Sequence, residues 1–217
     1  MTSDEGLGRI LDRGLVAIIR APSSEQLAGV ARALFEGGID VIEVTFTVPR
    51  ALEIIAEVRR DLGPQVLLGA GSVLDAETAR AALLAGAEFI VSPAVRQDVI
   101  QLCRRYGKVV MPGAFTPTEV LTAWEAGADI VKIFPADVGG PAYLKAISAP
   151  LPQVRLMPTG GVNLDTLEAF VRAGACAVGL GTALVEPQAV RAGDMARISD
   201  LAAQYVAAWG RIRSQSG

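Results

Sequence analysis

The chain has 217 residues, a length that suits one domain able to bury most of its unfolded surface. It is 51% apolar but only 5% aromatic, so Ala, Val, Leu and Ile carry the weight, as in buried parallel strands under alanine-rich helices. The net charge of −3 comes with no basic run, which argues against a nucleic-acid protein, and the absence of histidine excludes a Ser-His-Asp triad, a His-ligated metal and an imidazole acid or base.

Residues 1–14 carry Asp4, Glu5 and Asp12 and no apolar core. They read as a short helical segment (about 4–13), not a signal peptide. No run of about 18 apolar residues could span a bilayer, so a cytoplasmic location is expected. Short apolar runs then alternate with helical patterns. The runs are 15–20 (LVAIIR), 41–46 (VIEVTF), 66–71 (VLLGAG), 89–93 (FIVSP), 108–112 (KVVMP), 130–135 (IVKIFP), 154–159 (VRLMPT) and 177–181 (AVGLG). Helices over 25–36, 76–85, 118–126 and 164–173 open at Ser23/Ser24, Asp75, Thr116-Pro117-Thr118-Glu119 and Asn163, all cap-like residues. Eight strands, each followed by a helix, predict an α/β fold: a single-domain (β/α)8 barrel. An open doubly wound sheet is the alternative. Cys103 and Cys176 lie too far apart in sequence for a disulfide framework or a Cys-based zinc site.

A repeat refines this order. Gly38, Gly86, Gly127 and Gly174, spaced by 48, 41 and 47 residues, each end a helix and precede a strand. They mark alternate strands, the second, fourth, sixth and eighth. Alternate strands supply one interior layer of such a barrel. Three residues past each glycine stand Val41, Phe89, Ile130 and Ala177, an expected apolar layer. Five residues past stand Glu43, Val91, Lys132 and Gly179, so Glu43 and Lys132 are expected to point inward together.

Lys132 is the expected nucleophile. The chain uses 17 arginines and only three lysines, so a lysine among Ile130, Val131, Ile133 and Phe134 is a specific choice. An amine can form an imine with a ketone, a guanidinium cannot, and desolvation lowers an amine's pKa. Glu43 is the expected proton carrier. The competing expectation is a structural Lys132–Glu43 ion pair, although buried pairs seldom add stability. Two glycine turns, Pro158-Thr159-Gly160-Gly161-Val162 and Gly179-Leu180-Gly181-Thr182, follow the seventh and eighth strands, where such barrels bind phosphate. Their backbone N–H groups would do most of the binding. Arg20 and Ser72, at the ends of the first and third strands, suit a substrate carboxylate. Their plainer roles are an ion pair of Arg20 with Glu25 or Asp40, and a helix cap for Ser72.

The runs Glu43-Val44-Thr45-Phe46-Thr47-Val48-Pro49, Gly69-Ala70-Gly71-Ser72, Ser92-Pro93, Met111-Pro112-Gly113, Thr116-Pro117-Thr118-Glu119, Lys132-Ile133-Phe134-Pro135 and Pro158-Thr159-Gly160-Gly161-Val162 occur in this order. Together they resemble the 2-keto-3-deoxy-6-phosphogluconate (KDPG) aldolases over about residues 8–212. The resemblance implies a class I aldolase on a (β/α)8 barrel that cleaves KDPG to pyruvate and glyceraldehyde 3-phosphate in the Entner-Doudoroff pathway. It implies no metal or other cofactor, a homotrimer as the self-partner, and a phosphorylated 2-keto acid as the small-molecule partner. It also implies Lys132 as Schiff-base lysine, Glu43 as acid/base, Ser72 at the carboxylate, and Pro93 and Phe134 as the pyruvyl wall. Thr159, Gly160, Gly161, Gly181 and Thr182 would meet the distal hydroxyl and phosphate. Many members have an arginine four residues after the glutamate. Here that position is Thr47, so Arg20, or else Arg50, would replace it. Thr159 precedes the Gly-Gly turn where galacto-specific members tend to be apolar, which leans towards the gluco epimer. The alternatives are the galacto epimer, 4-hydroxy-2-oxoglutarate, or a sugar-phosphate isomerase or epimerase with Glu43 as base.

Overall fold

The structure, a computed structural model, describes residues 1–21 and 26–215. Nine strands are described: β1 (Leu15–Ile19), β2 (Val41–Thr45), β3 (Leu67–Gly71), β4 (Phe89–Val91), β5 (Val109–Met111), β6 (Gly113–Ala114), β7 (Val131–Ile133), β8 (Leu156–Pro158) and β9 (Val178–Leu180). The helices are α1 (Ser3–Arg13), α2 (Leu27–Glu36), α3 (Ala51–Leu62), α4 (Ala76–Ala85), α5 (Gln97–Arg105), α6 (Pro117–Glu125), α7 (Gly140–Ser148), α8 (Leu167–Arg172), α9 (Pro187–Ala192) and α10 (Met195–Ser214).

All strand pairs are parallel. They form a six-stranded sheet ordered β5-β4-β3-β2-β1-β9 and a three-stranded sheet ordered β6-β7-β8. This is an α/β fold with a curled parallel sheet. The expected eight-membered ladder is seen as these two segments. The fifth expected strand, 108–112, ends at Met111, and an additional short strand, β6, begins after Pro112, which has no N–H to give a ladder. Two isolated parallel bridges, Leu156–Ala175 and Thr159–Gly179, run between the segments on the β8–β9 side.

Every strand residue is buried, which is why the runs are apolar on both faces. Alternate side chains go opposite ways. Ala17, Ile19, Ile42, Val44, Leu68, Ala70 and Ile90 pack under the helices. Val16, Val41, Leu67, Phe89, Val109, Met111, Ile130, Met157 and Ala177 pack together inside. The layer expected from the glycine repeat (Val41, Phe89, Ile130, Ala177) is in this inner cluster. Helix α1 covers its N-terminal end, with Ile10 fully buried in it and Leu7 and Leu11 packed alongside. Thr2 and Glu5 form a capping box that starts α1, and Gly14, in the left-handed conformation, stops it before β1.

The expected caps hold at two helices. Asp75 accepts from Thr78 N (2.6 Å) at α4, and Thr116 with Glu119 forms a capping box at α6, with Pro117 in the first turn. Such caps contribute about 1 kcal/mol each. The helix expected over 164–173 begins later, at Leu167, because Asn163 caps the turn before it rather than the helix itself. The Ser23/Ser24 cap lies outside the described residues.

Candidate active site

The C-terminal ends of β1, β2, β7, β8 and β9 surround a cavity of about 420 Å³, within the range of small-molecule sites. Lys132 and Glu43 both line it and both are buried, at 6% and 1% exposure. The strand ladder aims them. Lys132 lies between Gly113 and Met157 in register, and Glu43 between Ile18 and Gly69. Glycine makes the room: a Cβ at Gly71 would overlap the Glu43 carboxylate, and one at Gly179 would overlap Thr159 Oγ1 and stand 3.1 Å from Ile18 Cδ1.

Burial governs the electrostatics. Desolvation pushes the Lys132 ammonium below its usual 10.5, with Glu43 pulling it back up and Arg20 pushing it further down. Desolvation also raises the Glu43 carboxyl above 4.5, opposed by Lys132 and Arg20. The two pKa values are thus drawn towards each other, which suits a proton passing between an amine, a carboxyl and a ligand. No Glu43–Lys132 ion pair closes within 4.0 Å among the described residues. Glu43 Oε2 and Thr159 Oγ1 are buried with no hydrogen-bond partner among those residues. Buried polar atoms are costly to leave unpaired, so both are poised for a ligand. The Lys132 amine sits over the Phe134 ring, 4.9 Å from its centroid.

Arg20, Phe134, Thr159, Gly160, Gly161, Gly181 and Thr182 join Lys132 and Glu43 on the cavity wall. Gly160 (φ 95°) and Gly161 (φ 71°) take left-handed conformations that an L side chain resists, which turns the loop after β8 over the cavity. Arg20 is exposed at the mouth. Asp40 pairs with Arg9 and Arg13, not with Arg20, and Glu25 is outside the described residues. Arg50 is on the surface, bound to Glu53 (Nε–Oε2 2.7 Å), and lines no part of the cavity. Thr47, also exposed, pairs its hydroxyl with that of Thr45 (2.8 Å). Ser72 and Pro93 are half-buried after β3 and β4 and do not line the cavity. Ser72 is not the cap of α4 either, since Asp75 is. Val162, the last residue of the expected turn, lines it too, and Ile18, Asn163 and Ala183 line it without having been expected. Ile18 follows from period-two alternation between Val16 and Arg20. Asn163 was legible only as a cap.

A model of the KDPG and KHG aldolase family matches residues 9–201. The chain belongs to this aldolase family. The 2-dehydro-3-deoxy-phosphogluconate aldolase of Treponema pallidum (strain Nichols) is 39% identical over 194 residues, 88% of this chain and 90% of the relative. The 2-dehydro-3-deoxy-6-phosphogalactonate aldolase of Escherichia coli (strain K12) is 35% identical over 197 residues, 90% of this chain and 94% of the relative. Among solved structures, the KDPG aldolase of Legionella pneumophila, with pyruvate captured at low pH as a covalent carbinolamine, superposes with a TM-score of 0.84 at 29% identity. That match covers 91% of this chain and 97% of the other. Like these relatives, this member of the KDPG and KHG aldolase family is a lyase. Among the described residues no helix is long and apolar enough to cross a membrane.

Proposed function

We propose that this chain is a class I aldolase that cleaves 2-keto-3-deoxy-6-phosphogluconate to pyruvate and glyceraldehyde 3-phosphate, with Lys132 as the imine-forming residue. The observation that carries this is a buried lysine, its ammonium disfavoured, sharing one cavity with a buried carboxyl whose Oε2 has no partner among the described residues. The neutral Lys132 amine adds to the C2 ketone. Glu43 moves the proton from nitrogen to oxygen, giving a carbinolamine, and water leaves to form the iminium. Glu43, directly or through that water, takes the C4 hydroxyl proton. The C3–C4 electron pair then flows into the iminium, which yields an enamine on Lys132 and frees the aldehyde. Glu43 returns a proton to C3, and hydrolysis releases pyruvate and the amine. Proton transfers of this kind contribute about 10²–10⁴-fold.

Arg20, the guanidinium at the mouth, binds the substrate carboxylate in this reading, and Phe134 forms the apolar wall beside the pyruvyl carbons. Thr159 Oγ1 takes a distal hydroxyl. The turns at Gly160, Gly161, Gly181 and Thr182 hold the phosphate. Ser72 and Pro93 take no direct part in this reading, because neither lines the cavity. The galacto epimer is the second reading, favoured by the 35% identity to the phosphogalactonate aldolase. The unpartnered Thr159 hydroxyl supports the gluco form. Closure of the two sheet segments into one eight-stranded barrel domain, supported by the bridges on the β8–β9 side, belongs to the same reading. So do a homotrimeric assembly and a cytoplasmic location, both supported by family membership.

The test is reductive trapping. Pyruvate plus borohydride should add one stable adduct, mapped to Lys132, and Lys132→Arg should abolish both adduct and turnover while the protein stays folded. An adduct that persists on Lys108 or Lys145 would overturn the assignment.

A further inference from the structure

The two ends of the Asn163 carboxamide are in different situations. Its Oδ1 accepts hydrogen bonds from the backbone N–H groups of Asp165 (2.9 Å) and Thr166 (3.0 Å). Only the oxygen can accept from two N–H groups, so the chain itself fixes which way the amide faces. The Nδ2 group, with its two donors, therefore faces away from the turn. It has no acceptor among the described residues, yet Asn163 lines the cavity with Gly161, Gly181 and Thr182. Neither glycine turn carries a lysine or arginine of its own. The cavity's two cations, Arg20 and Lys132, come from β1's end and β7. An anion seated on the turns meets neutral donors from both, with Arg20, at the end of the strand that pairs with β9, as the neighbouring cation, and Asn163 is the one primary amide among the described residues of the cavity wall.

We infer that Asn163 Nδ2 donates a hydrogen bond to the substrate phosphate, which makes Asn163 a specificity-determining residue that separates phosphorylated from unphosphorylated 2-keto acids. The inference rests on the aldolase reading for the identity of the ligand. It adds to that reading a side-chain donor beside turns that otherwise offer backbone N–H groups and one hydroxyl. A hydrogen bond to a charged acceptor changes affinity by about 10–100-fold.

Asn163→Asp is the informative variant. It keeps the oxygen that accepts from Asp165 and Thr166, so the turn survives, and it exchanges the donor for a negative charge. Asn163→Ser is the second variant. Its hydroxyl can still serve the turn but is too short to reach the ligand. The first readout is KM for 2-keto-3-deoxy-6-phosphogluconate against KM for 2-keto-3-deoxygluconate, the same sugar acid without its phosphate. Asn163→Asp should raise the first at least about 10-fold more than the second. Asn163→Ser should act in the same direction by less. The second readout is calorimetric titration of the protein with inorganic phosphate, which needs no turnover. Affinity should fall about 10-fold or more in Asn163→Asp. Parallel KM changes for both substrates would mean that Asn163 only shapes the turn and would overturn the inference. So would undiminished phosphate affinity in Asn163→Asp, or a wild-type protein that binds no phosphate. Failure of the wild type to trap pyruvate would instead sink the aldolase reading, and the phosphate titration would still decide the role of Asn163.

Discussion

Gly71, at the end of β3 and paired with Thr45, is the residue whose missing side chain makes room for Glu43. Gly71→Ala adds one methyl group. That carbon would overlap Oε1 and Cδ of Glu43 and lie 2.8 Å from its Cγ. Carbon–carbon contact begins near about 3.5 Å, so even Cγ has to yield by roughly 0.7 Å, and the carboxyl group, deeper in the overlap, by more than about 1 Å. Gly71 does not have a positive φ, so the backbone accepts alanine without strain of its own. The stability cost should be that of overpacking, about 1–3 kcal/mol. The catalytic cost should be larger, because a reacting group misplaced by about 1 Å loses roughly 10²-fold in rate. Gly69→Ala is the control two residues earlier on the same strand. The three atoms nearest its methyl would all belong to the Phe89 ring, in the apolar interior. The two alanines should therefore cost similar stability and differ about 100-fold in kcat. Denaturant midpoints and kcat per folded molecule measure both sides of the comparison. A Gly71→Ala enzyme with near-normal kcat, or a Gly69→Ala enzyme equally inactive, would refute the argument that Glu43 acts from this position.

Glu43→Gln keeps the shape and removes the proton carrier, so turnover should fall by about 10²–10⁴-fold, together with proton exchange at the pyruvate methyl. Its stability should also vary with pH in a defined way. The Glu43 carboxyl is raised above 4.5, so below that pH it is neutral in both folded and unfolded chains and burial carries no charge penalty. As pH climbs through the raised folded value, the wild type should lose stability relative to Glu43→Gln. A variant destabilised by about 3–5 kcal/mol at pH 8 would mark a structural ion pair instead. The rate of imine formation with pyruvate should rise with pH and level off below 10.5, because burial lowers Lys132. A plateau reached only above that value would refute an activated amine. EDTA should leave turnover unchanged, and loss restored by a divalent ion would contradict the imine mechanism.

Much of the site was legible because two periodicities coincide. Apolar runs bounded by helix-ending glycines gave the strands. Counting from those glycines placed Val41, Phe89, Ile130 and Ala177 in one inner layer, with Glu43 and Lys132 one step above. What counting cannot supply is curvature. Ser72 and Pro93 sit one and two residues past their strands, where the chain is already leaving the sheet, so their distance from the cavity depends on turns that no spacing encodes. The division at Pro112 is equally hidden. A proline at a strand end and a proline inside a strand look alike until the ladder partners are known. Asn163 escaped notice because a cap-like residue already had a sufficient explanation, one that uses only half of its carboxamide.

Helix α1 stoppers the far end of the inner cluster, and it is fastened there. Arg9 (2.9 Å) and Arg13 (3.0 Å) both grip Asp40, three residues before Glu43 on the same stretch of chain. Beneath Lys132 and Glu43 the floor is hydrocarbon, with Ile10, Phe89 and Ile130 leaving no surface to water. With that end sealed by hydrocarbon, the polar approach to Lys132 and Glu43 among the described residues is the cavity at the C-terminal strand ends. In the proposed mechanism, the water lost as the iminium forms is released into this same cavity, beside the Glu43 Oε2 that has no partner among the described residues.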